Sequence, residues 1–201
     1  MRIAVIGRES VGSGLTWALG QAGHEVYAIG RNEYLSAAVS QVEPVVLATP
    51  YGAVADLAGK ADFAGKTLIA VSNPVTEDFS GLQLGHKTSA AEEIRSQRSG
   101  ATVVKAFNTI FVQHYETGLK VNGQPVHTFV AANDEATRET VKSLAAEIGL
   151  EPVDADPLAN ARFLEPIGAS IFGSDTSSVT APGSHRAGNF PDTPNPTEHL
   201  I

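Results

Sequence analysis

The sequence predicts an α/β domain of the Rossmann-like, doubly wound type, with a mainly parallel sheet and an irregular C-terminal tail. Three observations carry that prediction. The opening residues read strand, glycine turn, helix, strand; short apolar runs then alternate with helix-patterned segments; and the final stretch loses all periodicity.

Residues 2–6 (RIAVI) are a β-branched run closed by Gly7, and residues 13–23 (SGLTWALGQAG) place Leu15, Ala18, Leu19 and Ala22 at helical spacing. Gly23 suits a helix C-cap, and residues 25–29 (EVYAI) read as the next strand, completing a βαβ unit. Residues 45–50 (VVLATP), 67–74 (TLIAVSNP) and 102–108 (TVVKAFN) read as further strands, with helices over 51–59 and 89–96 between them. Near-continuous apolar strands interleaved with helices imply a parallel sheet covered on both faces. The interval between Arg31 and Glu43 is too short for a full helix and strand, so one layer is expected to be abbreviated. Asn122-Gly123 marks a turn, residues 126–132 a strand, and a helix capped by Asp134 and stopped by Gly149 follows. Residues 151–155 (EPVDA) then read as a strand, and the final helix, through residues 160–172, should be kinked or shortened by Pro166. The domain is expected over residues 1–172, with a tail rich in Gly, Pro, Ser and Thr over 173–201.

A chain of 201 residues suits one well-packed core, and 42% hydrophobic with 18% charged residues is an ordinary globular balance. No apolar run is long enough to span a bilayer and no secretory leader is visible, so a cytoplasmic protein without membrane association is expected. The formal net charge of −8 argues against nucleic acid as a partner and favours a small molecule. With no cysteine and no metal-ligand spacing among the six histidines, no metal site is expected.

In a dinucleotide-binding turn the first glycine allows the tight bend, the second lets the backbone approach the pyrophosphate, and the third lets helix and strand pack closely. Gly7 and Gly12 occupy the outer positions of GRESVG, whereas Glu9 stands at the middle one and brings a carboxylate toward the phosphates. The backbone amides around Ser10, Val11 and Gly12, at a helix start, would meet those phosphates. Past the second strand stands Arg31, where an arginine favours the 2′-phosphate of NADP and an acidic residue would favour NAD. NADP is therefore the expected cofactor, with NAD possible. The exits of the later strands bring Ala48-Thr49-Pro50, Ser72-Asn73-Pro74 and Ala106-Phe107-Asn108 toward the same crevice, where Asn73 and Asn108 offer amide donors and acceptors. Arg162 and Glu165, one helical turn apart, are expected to pair.

Several stretches in order, IAVIG, AGHEVYAIGR, VVLATPY, LIAVSNPV, TSAAEEI, VVKAFNTI and DADPLANARFLEPIG, resemble the NADP oxidoreductases that depend on the deazaflavin coenzyme F-420. The wider group takes in small dinucleotide-binding reductases and the cytosolic domain of metalloreductases. The resemblance covers roughly residues 1–168. It implies that the backbone of Arg8 to Gly12 holds the pyrophosphate and Arg31 the 2′-phosphate. Ala48, Thr49 and Pro50 would then line the cofactor, with Asn73, Pro74, Ala106 and Asn108 around the nicotinamide and second substrate. The implied reaction is direct hydride transfer between NADP(H) and a flavin, deazaflavin or similar small redox partner, chemistry that requires no single catalytic side chain. A homodimer is a further possibility. The alternative function is a non-catalytic dinucleotide-binding or scaffold domain in which Glu9 has weakened cofactor affinity. A dehydrogenase of a small hydroxy compound is disfavoured, because no Lys or His acid–base stands out.

Overall fold

The structure, a computed structural model, describes residues 1–30, 35–57, 59–78 and 80–174. Arg31, the expected partner of the 2′-phosphate, and the tail from residue 175 lie outside the described residues.

The first βαβ unit forms as the sequence reads: β1 (Arg2–Ile6), α1 (Ser10–Gln21) and β2 (Glu25–Ile29), with Gly23 turning the chain at φ +90°. A six-residue helix α2 (Leu35–Ser40) then leads directly into β3 (Pro44–Leu47), so the abbreviated layer is real. A 3₁₀ segment (Tyr51–Leu57), β4 (Thr67–Ala70), α3 (Ala90–Gln97) and β5 (Thr102–Lys105) follow. The strands β3, β4 and β5 stop well short of their expected ends, and residues 48–50, 71–74 and 106–108 are exit loops rather than strand. Each loop reaches Pro or Asn at the point where the ladder would need further paired donors.

Beyond β5 come a short α4 (Val112–Glu116) and the hairpin of β6 (Lys120–Val121) and β7 (Gln124–Pro125), whose turn places Asn122 at φ +50° and Gly123 at φ +80°. These left-handed values are the pair a tight hairpin turn requires. The chain closes with β8 (His127–Ala132), α5 (Glu135–Glu147), β9 (Glu151–Asp154) and α6 (Ala161–Ser174). The main sheet runs β2-β1-β3-β4-β5-β8-β9. Its first five strands are parallel, β8 pairs antiparallel to β5, and β9 is parallel to β8. The reversal at β8 follows from its connection, because a hairpin and a single-turn helix return the chain without a crossover.

The sheet is buried on both faces. Ile3, Val5, Val46, Ile69 and Val104 pack against Leu15, Leu19, Tyr115, Val141 and Leu144 of α1, α4 and α5. Ala4, Val45, Leu47, Leu68 and Val103 pack against Leu35, Val39, Ile94 and Ala161 of α2, α3 and α6. Pro166 does not end α6, contrary to the expected shortening. The helix is held on both sides of the proline, by Arg162 and Glu165 before it and by the close seat of Gly168 after it.

The order β2-β1-β3 means that the chain leaves β1 in one direction and later returns to its other side. Ligand crevices of open α/β sheets form at such a reversal, beyond the carboxyl ends of the strands. Here it lies between the exits of β1 and β3, at Gly7 and Ala48.

Candidate functional site

The β1 exit is pinned from both sides, since Gly7 N–H donates to Ile29 O at 3.0 Å and Ala48 N–H to Ile6 O at 2.9 Å. Gly7 has φ +112°, and a Cβ there would stand 2.3 Å from the Ala48 carbonyl oxygen. A Cβ on Gly12 would stand 2.0 Å from the Gly7 carbonyl oxygen. The two outer glycines thus have different jobs: Gly7 makes the bend beside β3, and Gly12 lets α1 begin against the strand end. Glu9 occupies the N-cap position of α1, but its side chain makes no capping hydrogen bond. The first intrahelical bond runs from Ser13 N–H to Glu9 O at 3.1 Å, so the amides of Ser10, Val11 and Gly12 are the first-turn donors of the helix.

A cavity of about 1030 Å³ opens over this loop. Gly7, Arg8, Glu9, Ala48, Thr49 and Pro50 all line it, together with Ile29 and Gly30 at the end of β2. Its remaining walls are α2, through Leu35, Ser36, Ala37 and Ser40, and the 3₁₀ segment with the turn after it, through Ala53, Asp56, Leu57 and Lys60. Sequence reasoning missed those walls, which are ordinary small, apolar and charged residues without a motif. Their only signal is position, directly after the second and third strands. Ser10, Val11 and Gly12, expected to meet the phosphates, follow the lining residue Glu9 in the chain but are not themselves part of the cavity lining.

The second group of expected residues does not line this cavity. Asn108 is 2% exposed and donates through Nδ2 to Asn73 Oδ1 at 2.9 Å and to Leu164 O at 2.8 Å; Asn73 Nδ2 returns a bond to Asn108 O at 3.1 Å. A Cβ on Gly168 would lie 2.4 Å from Asn73 Nδ2, so α6 sits directly on this amide pair. Ala106 is fully buried, and Pro74 is buried too. The pair therefore ties the exits of β4 and β5 to α6. It leaves Asn108 Oδ1 buried without a hydrogen-bond partner, as are Thr49 Oγ1, Ser72 Oγ and Thr109 Oγ1. Orphaned buried polar atoms are uncommon and costly. These four sit at the exits of β3, β4 and β5, and of them Thr49 lines the cavity; His24 Nε2 and the Tyr115 hydroxyl are likewise without a hydrogen-bond partner, away from these exits.

Beneath the exits lies a charged cluster that the sequence reading misassigned. Arg162 does not pair with Glu165. Its Nε and Nη2 donate to Glu92 Oε2 at 2.8 Å and Oε1 at 2.6 Å, a two-pronged bond to α3. Glu165 instead meets Lys105 Nζ at 3.1 Å, with both side chains essentially out of water, and accepts from the amides of Ala90 at 2.8 Å and Ala91 at 3.2 Å. Its carboxylate thereby occupies the N-terminus of α3, beside the Ser89 cap whose Oγ accepts from Glu92 N–H. Lys105 also donates to the Ser72 carbonyl. Burial pushes its ammonium below the usual lysine value, against the opposing pull of Glu165. Helical spacing suggested a local pair; tertiary packing gave both residues better-buried partners from α3 and β5. Nearby, Tyr51 donates to Glu93, and burial followed by that hydrogen bond pushes its phenol up to about 12. The phenol stays neutral at every physiological pH.

Among the described residues no cluster of His, Cys, Asp and Glu is suited to a metal ion, and no helix is long and apolar enough to cross a membrane. His114 lies on α4, its ring edge-on to Phe111 at 5.7 Å, and is not part of the cavity wall.

No protein-family model matches the chain. In sequence it is 34% identical over 131 residues to metalloreductase STEAP3 of Rattus norvegicus, a match that takes in 65% of this chain but only 26% of that protein's length. In structure it resembles a candidate F-420-dependent NADP reductase of Arthrobacter sp. (TM-score 0.73, 25% identity, 82% of this chain and 89% of that one). A hypothetical protein of Sinorhizobium meliloti is similar (TM-score 0.69, 25% identity, 79% and 86%). A reductive aminase of Aspergillus terreus in complex with NADPH and ethyl-5-oxohexanoate shares the fold at 13% identity (TM-score 0.65), over 88% of this chain and 62% of that one. The chain therefore has the Rossmann-like, mainly parallel α/β fold of NADP-linked oxidoreductases.

Proposed function

We propose that the chain is an NADP-dependent oxidoreductase that passes a hydride between NADP(H) and a small redox partner of the flavin or deazaflavin type. The observation that carries this reading is the phosphate loop. Gly7 and Gly12 leave no room for a Cβ, the first-turn amides of α1 are available as donors, and a cavity of about 1030 Å³ opens directly above them. That volume is at the upper end of the range of about 300–1,000 Å³ for small-molecule clefts, as an extended dinucleotide requires.

In this arrangement the loop of Arg8 to Gly12 holds the pyrophosphate, Arg31 meets the 2′-phosphate, and Ala48, Thr49 and Pro50 line the cofactor. The orphaned Thr49 hydroxyl, in the cavity wall, would take a hydrogen bond from the cofactor, and Asn73, Pro74, Ala106 and Asn108 would support the redox end from beneath. The nicotinamide supplies the hydride chemistry when bound; the protein supplies orientation and excludes water. The likeness to a candidate F-420-dependent NADP reductase supports a deazaflavin as the second substrate.

Calorimetric titration with NADPH and NADH tests the reading first. Tight NADPH binding that weakens in Arg31→Ala is expected, followed by oxidation of bound NADPH only when FMN, FAD or a deazaflavin is added. A protein that binds neither dinucleotide would refute the proposal and leave the scaffold reading, with Glu9 as the residue that closed the site to phosphate.

A further inference from the structure

We infer that Lys60 helps to read the 2′-phosphate and so sets the preference for NADP over NAD, an inference that rests on the dinucleotide reading of the cavity. A dianionic phosphate is held best by more than one charged donor. The sequence after β2 supplies only Arg31, followed at once by Asn32, Glu33 and Tyr34. Any second cation for this phosphate would come from another element.

Among the described residues lining the cavity the cations are Arg8 and Lys60. Arg8 belongs to the phosphate loop. Lys60 stands on the wall formed by the 3₁₀ segment and its following turn, where its backbone N–H donates to Leu57 O at 3.2 Å. Its ammonium makes no hydrogen bond or ion pair among the described residues, although Asp56 lines the same wall four positions earlier. Lys66, Lys105 and Lys142 behave differently: they are engaged by Val42 O, Glu165 and Glu139 respectively. Across the cavity, α2 presents Ser36, a hydroxyl donor that likewise has no partner among the described residues.

Charge gives Lys60 its leverage. The carboxylates lining the cavity among the described residues are Glu9 and Asp56, which balance Arg8 and Lys60. Without Lys60 the wall becomes net negative toward a ligand that differs from its competitor by one phosphate. A nicotinamide dinucleotide lacking the 2′-phosphate brings only its pyrophosphate charges into this field and should sense the loss less.

Lys60 is exposed, so its replacement should leave the fold intact. Calorimetry with NADPH and NADH is expected to show that Lys60→Ala weakens NADPH about tenfold, the scale of one hydrogen bond to a charged group. NADH affinity should fall much less, Lys60→Arg should restore NADPH binding, and Asp56→Asn should tighten NADPH more than NADH. Adenosine 2′,5′-bisphosphate and AMP should repeat the contrast without the nicotinamide half. Equal weakening of NADPH and NADH, or an unchanged ratio in Lys60→Ala, would overturn the assignment while leaving the dinucleotide site standing. Wild-type protein that binds neither dinucleotide would overturn both.

Discussion

Replacing Glu165 by Gln tests how the strand exits are held together. The substitution keeps the size of the side chain and one carbonyl oxygen, but removes the charge that faces Lys105. Lys105 is 0% and Glu165 2% exposed, so the ammonium would be left in the interior with only neutral acceptors, the Ser72 carbonyl and the amide oxygen of the new glutamine. Orphaning one member of a buried ion pair costs about 3–5 kcal/mol. The amides of Ala90 and Ala91 would in addition exchange a carboxylate for a neutral acceptor or an amide hydrogen. Against a domain stability of about 5–15 kcal/mol the loss is large. Urea denaturation followed by the fluorescence of Trp17, the sole tryptophan, measures it directly. The double variant Lys105→Met, Glu165→Leu should recover only part of the loss, because it removes the stranded charge but leaves the buried amides of Ala90 and Ala91 without an acceptor. A drop below about 1 kcal/mol in Glu165→Gln, the range of exposed pairs, would refute the reasoning, since the pair would then be hydrated in solution.

Three further outcomes follow from single residues. In Gly12→Ala the new Cβ would start 2.0 Å from the Gly7 oxygen, so α1 must retreat by about 1 Å; a stability loss of about 1–3 kcal/mol and loss of NADPH binding are expected. Wild-type melting together with wild-type affinity would contradict the close approach. Glu9→Gln should tighten NADPH severalfold at low salt, with the gain fading as salt rises, because two unit charges about 4 Å apart in water interact by only about 1 kcal/mol. An unchanged low-salt affinity would place the carboxylate outside the field of the phosphates. Asp78, whose carboxyl is held down to about 2 by Thr76 and Ser80, has a folded value below its unfolded one of about 4. Its stabilisation is therefore present above about pH 4 and lost as the pH falls toward about 2, so Asp78→Asn should flatten that limb of a melting-temperature profile. A limb of unchanged steepness would count against the hydroxyl contacts.

The sheet order was not legible in the sequence, although most of its parts were. The glycine turn, β1, β2 and α5 announce themselves through period and caps, which are local properties. The antiparallel placement of β8 depends instead on the length and shape of the connection from β5, whose α4 is a single turn without a periodic face. The 3₁₀ segment read as an α-helix for a related reason. Residues 51–59 have the right spacing of apolar residues, but Val54 alone is buried in that segment, too little to hold a longer helix against the sheet.

The site divides along the same line. Residues whose role is set by backbone conformation, Gly7 and Gly12 above all, could be read directly, because a glycine at a strand exit has few other uses. Residues whose role is set by tertiary partners could not. The sequence presents Asn73 and Asn108 as groups offered to a ligand, whereas most of their hydrogen-bonding capacity is taken up by one another and by Leu164. Yet that use gives a reason for the two least generic stretches, KAFN and LE in NARFLE, to occur together. Lys105 and Asn108 from the first close on Glu165 and Leu164 from the second, the latter pair 56 positions apart in the chain. The ion pair and the amide bond fix α6 over the exits of β4 and β5, the exits that carry Ser72, Asn108 and Thr109. A loosened clamp should therefore weaken the redox end while sparing the phosphate loop. In Glu165→Gln at a temperature where it remains folded, hydride transfer should fall further than NADPH affinity; a parallel fall in both would mean that the clamp supports the fold alone.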